Sequence, residues 1–184
     1  MWDSNFQEIR TIAAPGNPYI IDLEASGFGA DSYPIEVGLA LDPGERFCSL
    51  IRPKPDWTHW SDEAQHYHGI CRDSLLEHGR EAEEVAAGLN RRLHNLTVYS
   101  DGWVVDQSWL IKLFYRAGLP MQFRVSPLEM ILKEAQMEIW HEVKAQVLEE
   151  LNLQRHRASN DALVIQITYA RTLALSESAS AVRP

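Results

Sequence analysis

The sequence predicts an α/β domain, in which apolar runs of strand length alternate with segments whose apolar residues recur at helical spacing. Three features carry the prediction. Strand-like runs joined by short turns come first, helical stripes follow, and further short strand-like runs lie between the helices.

In order, residues 19–24, 35–41 and 46–52 read as strands, with Asp42-Pro43-Gly44-Glu45 turning between the second and third. Such short connections make an antiparallel meander. Residues 53–79, rich in Trp, His and Pro, read as short helices and loops. Residues 81–93 place Ala82, Val85, Ala86, Leu89 and Leu93 on one helical face. A short strand is expected over 97–100. A helix over 106–117 follows, its stripe formed by Trp109, Leu110, Leu113, Phe114 and Ala117, and Gly118-Leu119-Pro120 ends it. Residues 122–125 offer a fifth strand, 138–151 and 158–175 two more helices, and 176–184 a small, polar, frayed tail. With no repeat or low-complexity linker, residues 1–184 read as one domain with a core over 18–175 and a flexible N-terminal arm.

A chain of 184 residues can bury a sizeable core, and 45% hydrophobic with 23% charged content excludes a disordered chain. No apolar run reaches bilayer length, and the N-terminus lacks the basic-then-apolar order of a secretory signal. Cys48 and Cys71 form no CxxC pair, which suits a reducing compartment and a cytoplasmic location. The net charge of −9 excludes coating nucleic acid by bulk electrostatics, yet allows a local grip on a strand end.

The sharpest local oddity is Ile20-Ile21-Asp22-Leu23-Glu24. Residues i and i+2 of a strand share a face, so Asp22 and Glu24 project together from an apolar strand. Adjacent carboxylates are costly to desolvate, and an oxygen-preferring divalent cation relieves them. A strand with one solvated face is the plainer reading of a DxE pair alone. Asp106 stands three and four residues before Trp109 and Leu110, and Asp161 stands likewise before Val164 and Ile165, so both open buried stripes. Each alone would be a first-turn acid at a helix N-terminus; together with the DxE pair they form a shared acidic cluster. His156 precedes Asp161 by five residues, which in a helix would set them about 140° apart. A loop position leaning over the cluster, where it could take a proton from water, is one reading. A surface histidine in Arg155-His156-Arg157 is the other.

These segments resemble the DEDDh 3′→5′ exonuclease superfamily, with its proofreading, ribonuclease T and oligoribonuclease-like members. Asp22-Leu23-Glu24, Asp106 and His156-Arg-Ala-Ser-Asn-Asp161 look like its three signatures, and Trp57 to Ser61 with His68-Gly69-Ile70 look like its second substrate-side region. The family's Asn-Ala-x-Phe stretch is replaced by Gly102-Trp103-Val104-Val105, which leaves Asp101 as an alternative to Asp106. Asp106 is preferred because the helical stripe begins there.

The resemblance implies a ribonuclease H-like fold, a mixed five-stranded sheet flanked by helices. It implies two Mg²⁺ or Mn²⁺ ions held by Asp22, Glu24, Asp106 and Asp161, His156 as general base, and a single-stranded DNA or RNA 3′ end as substrate. Ala25-Ser26-Gly27-Phe28 and His68 are the expected substrate contacts: Gly27 permits close backbone approach, and Phe28 can stack on the last base or pack inward. Arg155 and Arg157 could meet phosphates, and Trp57, Trp60 and Trp103 are weaker stacking candidates. No membrane partner is expected, and a homodimer stays open. The alternatives are a non-catalytic nucleic-acid- or protein-binding module on the same fold, or a hydrolase of very short oligonucleotides.

Overall fold

The computed structural model describes residues 16–181, and the expected N-terminal arm lies largely outside them. Strands β1 (Ile20–Ala25), β2 (Pro34–Ala40) and β3 (Arg46–Leu50) are followed by helices α1 (Asp62–His68), α2 (Arg72–His78) and α3 (Ala82–Leu93). Then come β4 (Thr97–Ser100), α4 (Trp103–Ala117), β5 (Arg124–Pro127), α5 (Glu134–Leu151) and α6 (Ala158–Ala181). The five strands form one sheet in the order β3-β2-β1-β4-β5. β1, β2 and β3 pair antiparallel as the meander predicts, while β4 runs parallel to β1 and β5 parallel to β4. This is the mixed five-stranded sheet flanked by helices expected from the sequence.

The strand period sorts side chains between two apolar layers. Ile21 and Leu23 pack with Val37, Leu39, Val85, Leu89, Leu110 and Leu113, the layer under α3 and α4. Ile20 and Ala40 pack on the opposite face, against Ala162 and Ile165 of α6 and Trp140 of α5. Asp22 and Glu24 therefore continue the α6-facing side of β1. α5 lies on α6 through Val143, Val147, Leu163, Val164 and Ile167.

One glycine decides how closely α6 can sit. Gly38 pairs with Asp22 across β1 and β2, and a Cβ there would collide with the backbone of Ala158 and Ser159. The N-terminus of α6 thus rests directly on the strand beside the DxE pair. Parallel pairing of β1 with β4 meanwhile directs both strands' C-terminal ends to the same edge. That edge is where open α/β sheets form their crevice.

Several boundaries differ from expectation. α4 begins at Trp103, so Asp106 sits within its first turn and does not open it. α5 begins at Glu134, four residues early, because the Gln136 side chain accepts from the Lys133 backbone N–H at 3.2 Å and donates to Thr172 Oγ1 of α6 at 3.1 Å. β5 starts two residues late, since Gln122 N–H is spent on Asn90 Oδ1 and Phe123 turns into the core. β3 ends at Leu50, and Ile51 bridges to Arg80 instead. The supposed tail is helical to Ala181. Its Ser and Ala residues oppose a helix little, Ser176 is buried, and Lys133 pairs with Glu177 at 3.0 Å.

Candidate active site

A cleft of about 290 Å³ opens at the C-terminal ends of β1 and β4, and Asp22, Glu24, Asp106, Asp161 and His156 all line it. The DxE pair comes from β1, Asp106 from the first turn of α4 and Asp161 from the first turn of α6. His156 precedes α6 in left-handed backbone, φ +55°, on the predicted loop. One ligating atom from each of Glu24, His156 and Asp161 lies within 4.8 Å of the others.

Burial raises the pKa of all four carboxyls, and neighbouring acids add to it at Asp22, Glu24 and Asp106. Burial pushes Asp22 well above the carboxylate range, and Asp106, Glu24 and Asp161 add to it. Burial raises Glu24 to about 8, with Asp161, Glu36 and Asp106 contributing and Arg157 opposing. Asp106 reaches about 7 through burial, against the Ser100 hydroxyl, which donates to it. Burial also raises Asp161, while His156, Lys144 and Arg155 hold it down. Four acids whose charged forms are disfavoured together are a cluster short of positive charge. An all-carboxylate donor set with one imidazole suits a hard divalent cation, so these residues fit the ions that the family resemblance implies.

Asp101 and Asp106 separate clearly. Asp106 is 2% exposed and acts on Asp22 more strongly than Asp101 does. Asp101 lies at the cleft mouth, paired with Lys144 at 2.7 Å.

A second groove of about 400 Å³ shares Glu24, Trp109 and His156 with the cleft, and its walls include Ala25, Gly27, Phe28, Tyr67 and His68. Phe28 is 71% exposed and does not pack inward. His68 is buried, and its Nδ1 accepts from Ile70 N–H at 3.0 Å. The ring proton therefore sits on Nε2, which finds no partner among the described residues. Burial lowers the pKa of His68 and keeps it neutral. His68 thus contributes its ring to the groove wall, with a buried Nε2–H that no described residue meets.

Other expected contacts are used internally. Ser26 Oγ accepts from Tyr33 N–H at 3.1 Å and meets His59 Nδ1 at 3.2 Å, so Ser26 shapes the turn and lines neither recess. Gly27 lines the groove and is also required within the protein, because a Cβ would strike the His59 ring. The Arg157 guanidinium is paired with buried Glu36 through Nε and Nη2. Trp57 stacks on Tyr33 at 5.0 Å, Trp60 packs on the core and Trp103 donates to Val125 O at 3.1 Å, so these three hold the fold.

Sequence reasoning missed Ser100, Lys144, Tyr67 and Trp109 as site residues. Tyr67 meets the His156 ring edge-on at 5.7 Å, and Trp109 is tethered by Nε1 to Ser32 Oγ at 2.9 Å. Trp109 was legible only as an apolar-stripe residue. Nothing in the local sequence marks the other three.

No protein-family model matches the chain, and no curated protein sequence matches it. Solved structures do. The chain is similar to E. coli exonuclease I in complex with a dA16 oligonucleotide, with TM-score 0.63 and 13% identity over 85% of this chain and 40% of that one. The zinc-bound form of that enzyme with single-stranded DNA gives TM-score 0.58 and 15% identity, over 86% and 39%. An apo exonuclease I structure gives TM-score 0.62 and 13% identity, over 90% and 44%. This chain therefore spans about two-fifths of the length of the exonuclease I chains it matches. At 13–15% identity the likeness is one of fold, the α/β sheet arrangement shared with these ribonuclease H-like exonucleases.

Proposed function

We propose that this protein is a metal-dependent 3′→5′ exonuclease that removes nucleoside 5′-monophosphates from the end of single-stranded nucleic acid, with DNA as its first substrate. The observation that carries the reading is the convergence of Asp22, Glu24, Asp106 and Asp161 in one cleft, with raised pKa values that a bound cation would reverse. The choice of DNA leans on the oligonucleotides bound in the structurally similar exonuclease I.

In this reading Asp22, Glu24, Asp106 and Asp161 hold two Mg²⁺ or Mn²⁺ ions, which when bound offset charge on the phosphoryl oxygens and the departing 3′-oxygen. His156 takes a proton from the attacking water as its oxygen bonds to phosphorus. The bond between phosphorus and the 3′-oxygen breaks, its electron pair leaves with that oxygen, and protonation there restores a 3′-hydroxyl on the shortened strand. Phe28, exposed on the adjoining groove, stacks on the terminal base. His68, on the wall of the same groove, borders that nucleotide.

The test is shortening of matched 5′-labelled DNA and RNA oligonucleotides. A ladder that recedes from the 3′ end, needs Mg²⁺ or Mn²⁺ and disappears in Asp22→Ala is expected. Activity that survives chelation or Asp22→Ala overturns the mechanism. In the same assay Phe28→Ala raises KM about tenfold with kcat nearly held, since stacking on one base is worth about 1–3 kcal/mol. An unchanged KM removes Phe28 from the substrate.

A further inference from the structure

A carboxylate outside the acidic cluster sets the chain next to His156. Glu36 lies opposite Glu24 in the β1–β2 ladder and is 0% exposed. It is fully engaged. Arg157 Nε donates to Oε1 at 3.1 Å and to Oε2 at 3.2 Å, and Arg157 Nη2 donates to Oε1 at 2.5 Å. The Ala158 backbone N–H, the first of α6, donates to Oε2 at 2.8 Å. One carboxylate thus clamps the side chain that follows His156 and caps the helix that starts one residue later. A carboxylate at a helix N-terminus is also favoured by the helix dipole.

What the clamp holds is an unfavourable conformation. Left-handed backbone at a non-glycine residue persists only where its surroundings enforce it. His156 adopts φ +55° between Arg155, which lines the cleft, and the clamped Arg157. From the other side, Asn160 Nδ2 donates to Gln154 O at 2.9 Å, closing the same turn. The His156 ring is thereby presented to Glu24, Asp161 and Tyr67.

We propose that Glu36 and Arg157 form a positioning bracket that holds the His156 imidazole in its working orientation. The proposal rests on the exonuclease reading for its kinetic consequence and on geometry alone for its structural one.

Through space, the two partners act on Glu24 in opposite senses, Glu36 raising its pKa and Arg157 lowering it. An electrostatic role would therefore give opposite effects on removing each. A positioning role gives the same effect from both.

The experiment compares Glu36→Gln, Arg157→Met and Arg157→Lys, each with and without His156→Ala, in the full chain. Arg157→Lys keeps the charge, loses the planar fork and guards against a buried substitution that fails to fold. In the His156 background each variant is expected to lower kcat about 10–100-fold, the scale of a misplaced catalytic group, with KM within twofold. In the His156→Ala background the same changes cost nothing further. Equal losses in both backgrounds, or effects of opposite sign at positions 36 and 157, overturn the bracket. A second readout needs no turnover. The His156 ring correlation in a long-range ¹H–¹⁵N spectrum, assigned by its absence in His156→Ala, moves towards free-histidine values in all three variants. A correlation that stays in place overturns the bracket whether or not a strand is cut. A wild-type protein inactive on every strand, with the correlation moving as described, defeats the exonuclease reading and leaves the bracket standing.

Discussion

Glu24 shows at the scale of one residue why the site is costly to the fold. Its carboxyl is raised to about 8 by burial and by Asp161, Glu36 and Asp106, against an ordinary value near 4.5. The native state therefore holds a proton that the unfolded chain has already lost between about pH 4.5 and 8. Where the native state binds more protons, stability falls as pH rises. The ion-free protein should lose Tm steadily from pH 5.5 to 8.5. Glu24→Gln removes one source of that slope, so at pH 8 it should raise Tm. A discounted gain on the order of 2 kcal/mol corresponds to about 4–8 °C. Added Mg²⁺ should stabilise the wild type more at pH 8 than at pH 6, where protons compete for the same oxygens. Thermal scans with and without the ion check this, and an ion-free wild-type slope no steeper than that of Glu24→Gln overturns it.

At the scale of elements, the site depends on how closely α6 meets β2. Gly38 leaves no room for a methyl group, because the backbone of Ala158 and Ser159 occupies that space. Gly38→Ala should displace the start of α6, destabilise the fold by about 1–3 kcal/mol, and move Asp161 away from Asp22 and Glu24. A lower Tm together with weaker Mg²⁺ binding in titration calorimetry is the expected pair of results. Unchanged Mg²⁺ binding would show that α6 does not need this contact to place its acid.

The same element shows what the sequence could reveal. Ile20 to Glu24 announced both strand and site, because an alternating apolar run interrupted by carboxylates is a local pattern. The buried stripes of α4 and α6 likewise pointed inward from Asp106 and Asp161. The start of α5 was hidden, since it depends on Gln136 reaching Thr172, 36 residues away. Glu36 read as one residue of an apolar strand, and its partner Arg157 lies 121 residues on. The internal partners of Ser26, Tyr33 and His59, could not be read from the sequence because they come together only in the folded turn. Local periodicity is written in the chain. Pairings across the sheet are not.

At the scale of the whole molecule, charge limits how a strand can be held. The chain carries −9 overall, and several of its cations already have partners within the fold. Lys144 pairs with Asp101, Arg157 with Glu36, Lys112 with the Ala30 and Ser32 carbonyls, and Arg72 with the Trp57 and Thr58 carbonyls. Arg155 lines the cleft as the cation best placed for a phosphate. A binder that neutralises Z phosphates on a single strand shows a log–log salt slope of about −0.7Z. With one or two phosphates met, log KM should rise against log[KCl] with a slope of about 0.7–1.4, or about threefold to sevenfold between 50 and 200 mM at fixed Mg²⁺. Recognition would then rest on the terminal nucleotide, through Phe28 and His68, more than on the phosphate backbone behind it. KM values for strands of increasing length should level off after the first few nucleotides under the same salt series. A slope of about 4 or more, or a KM that keeps falling with strand length, would overturn this and point to a basic track beyond Arg155.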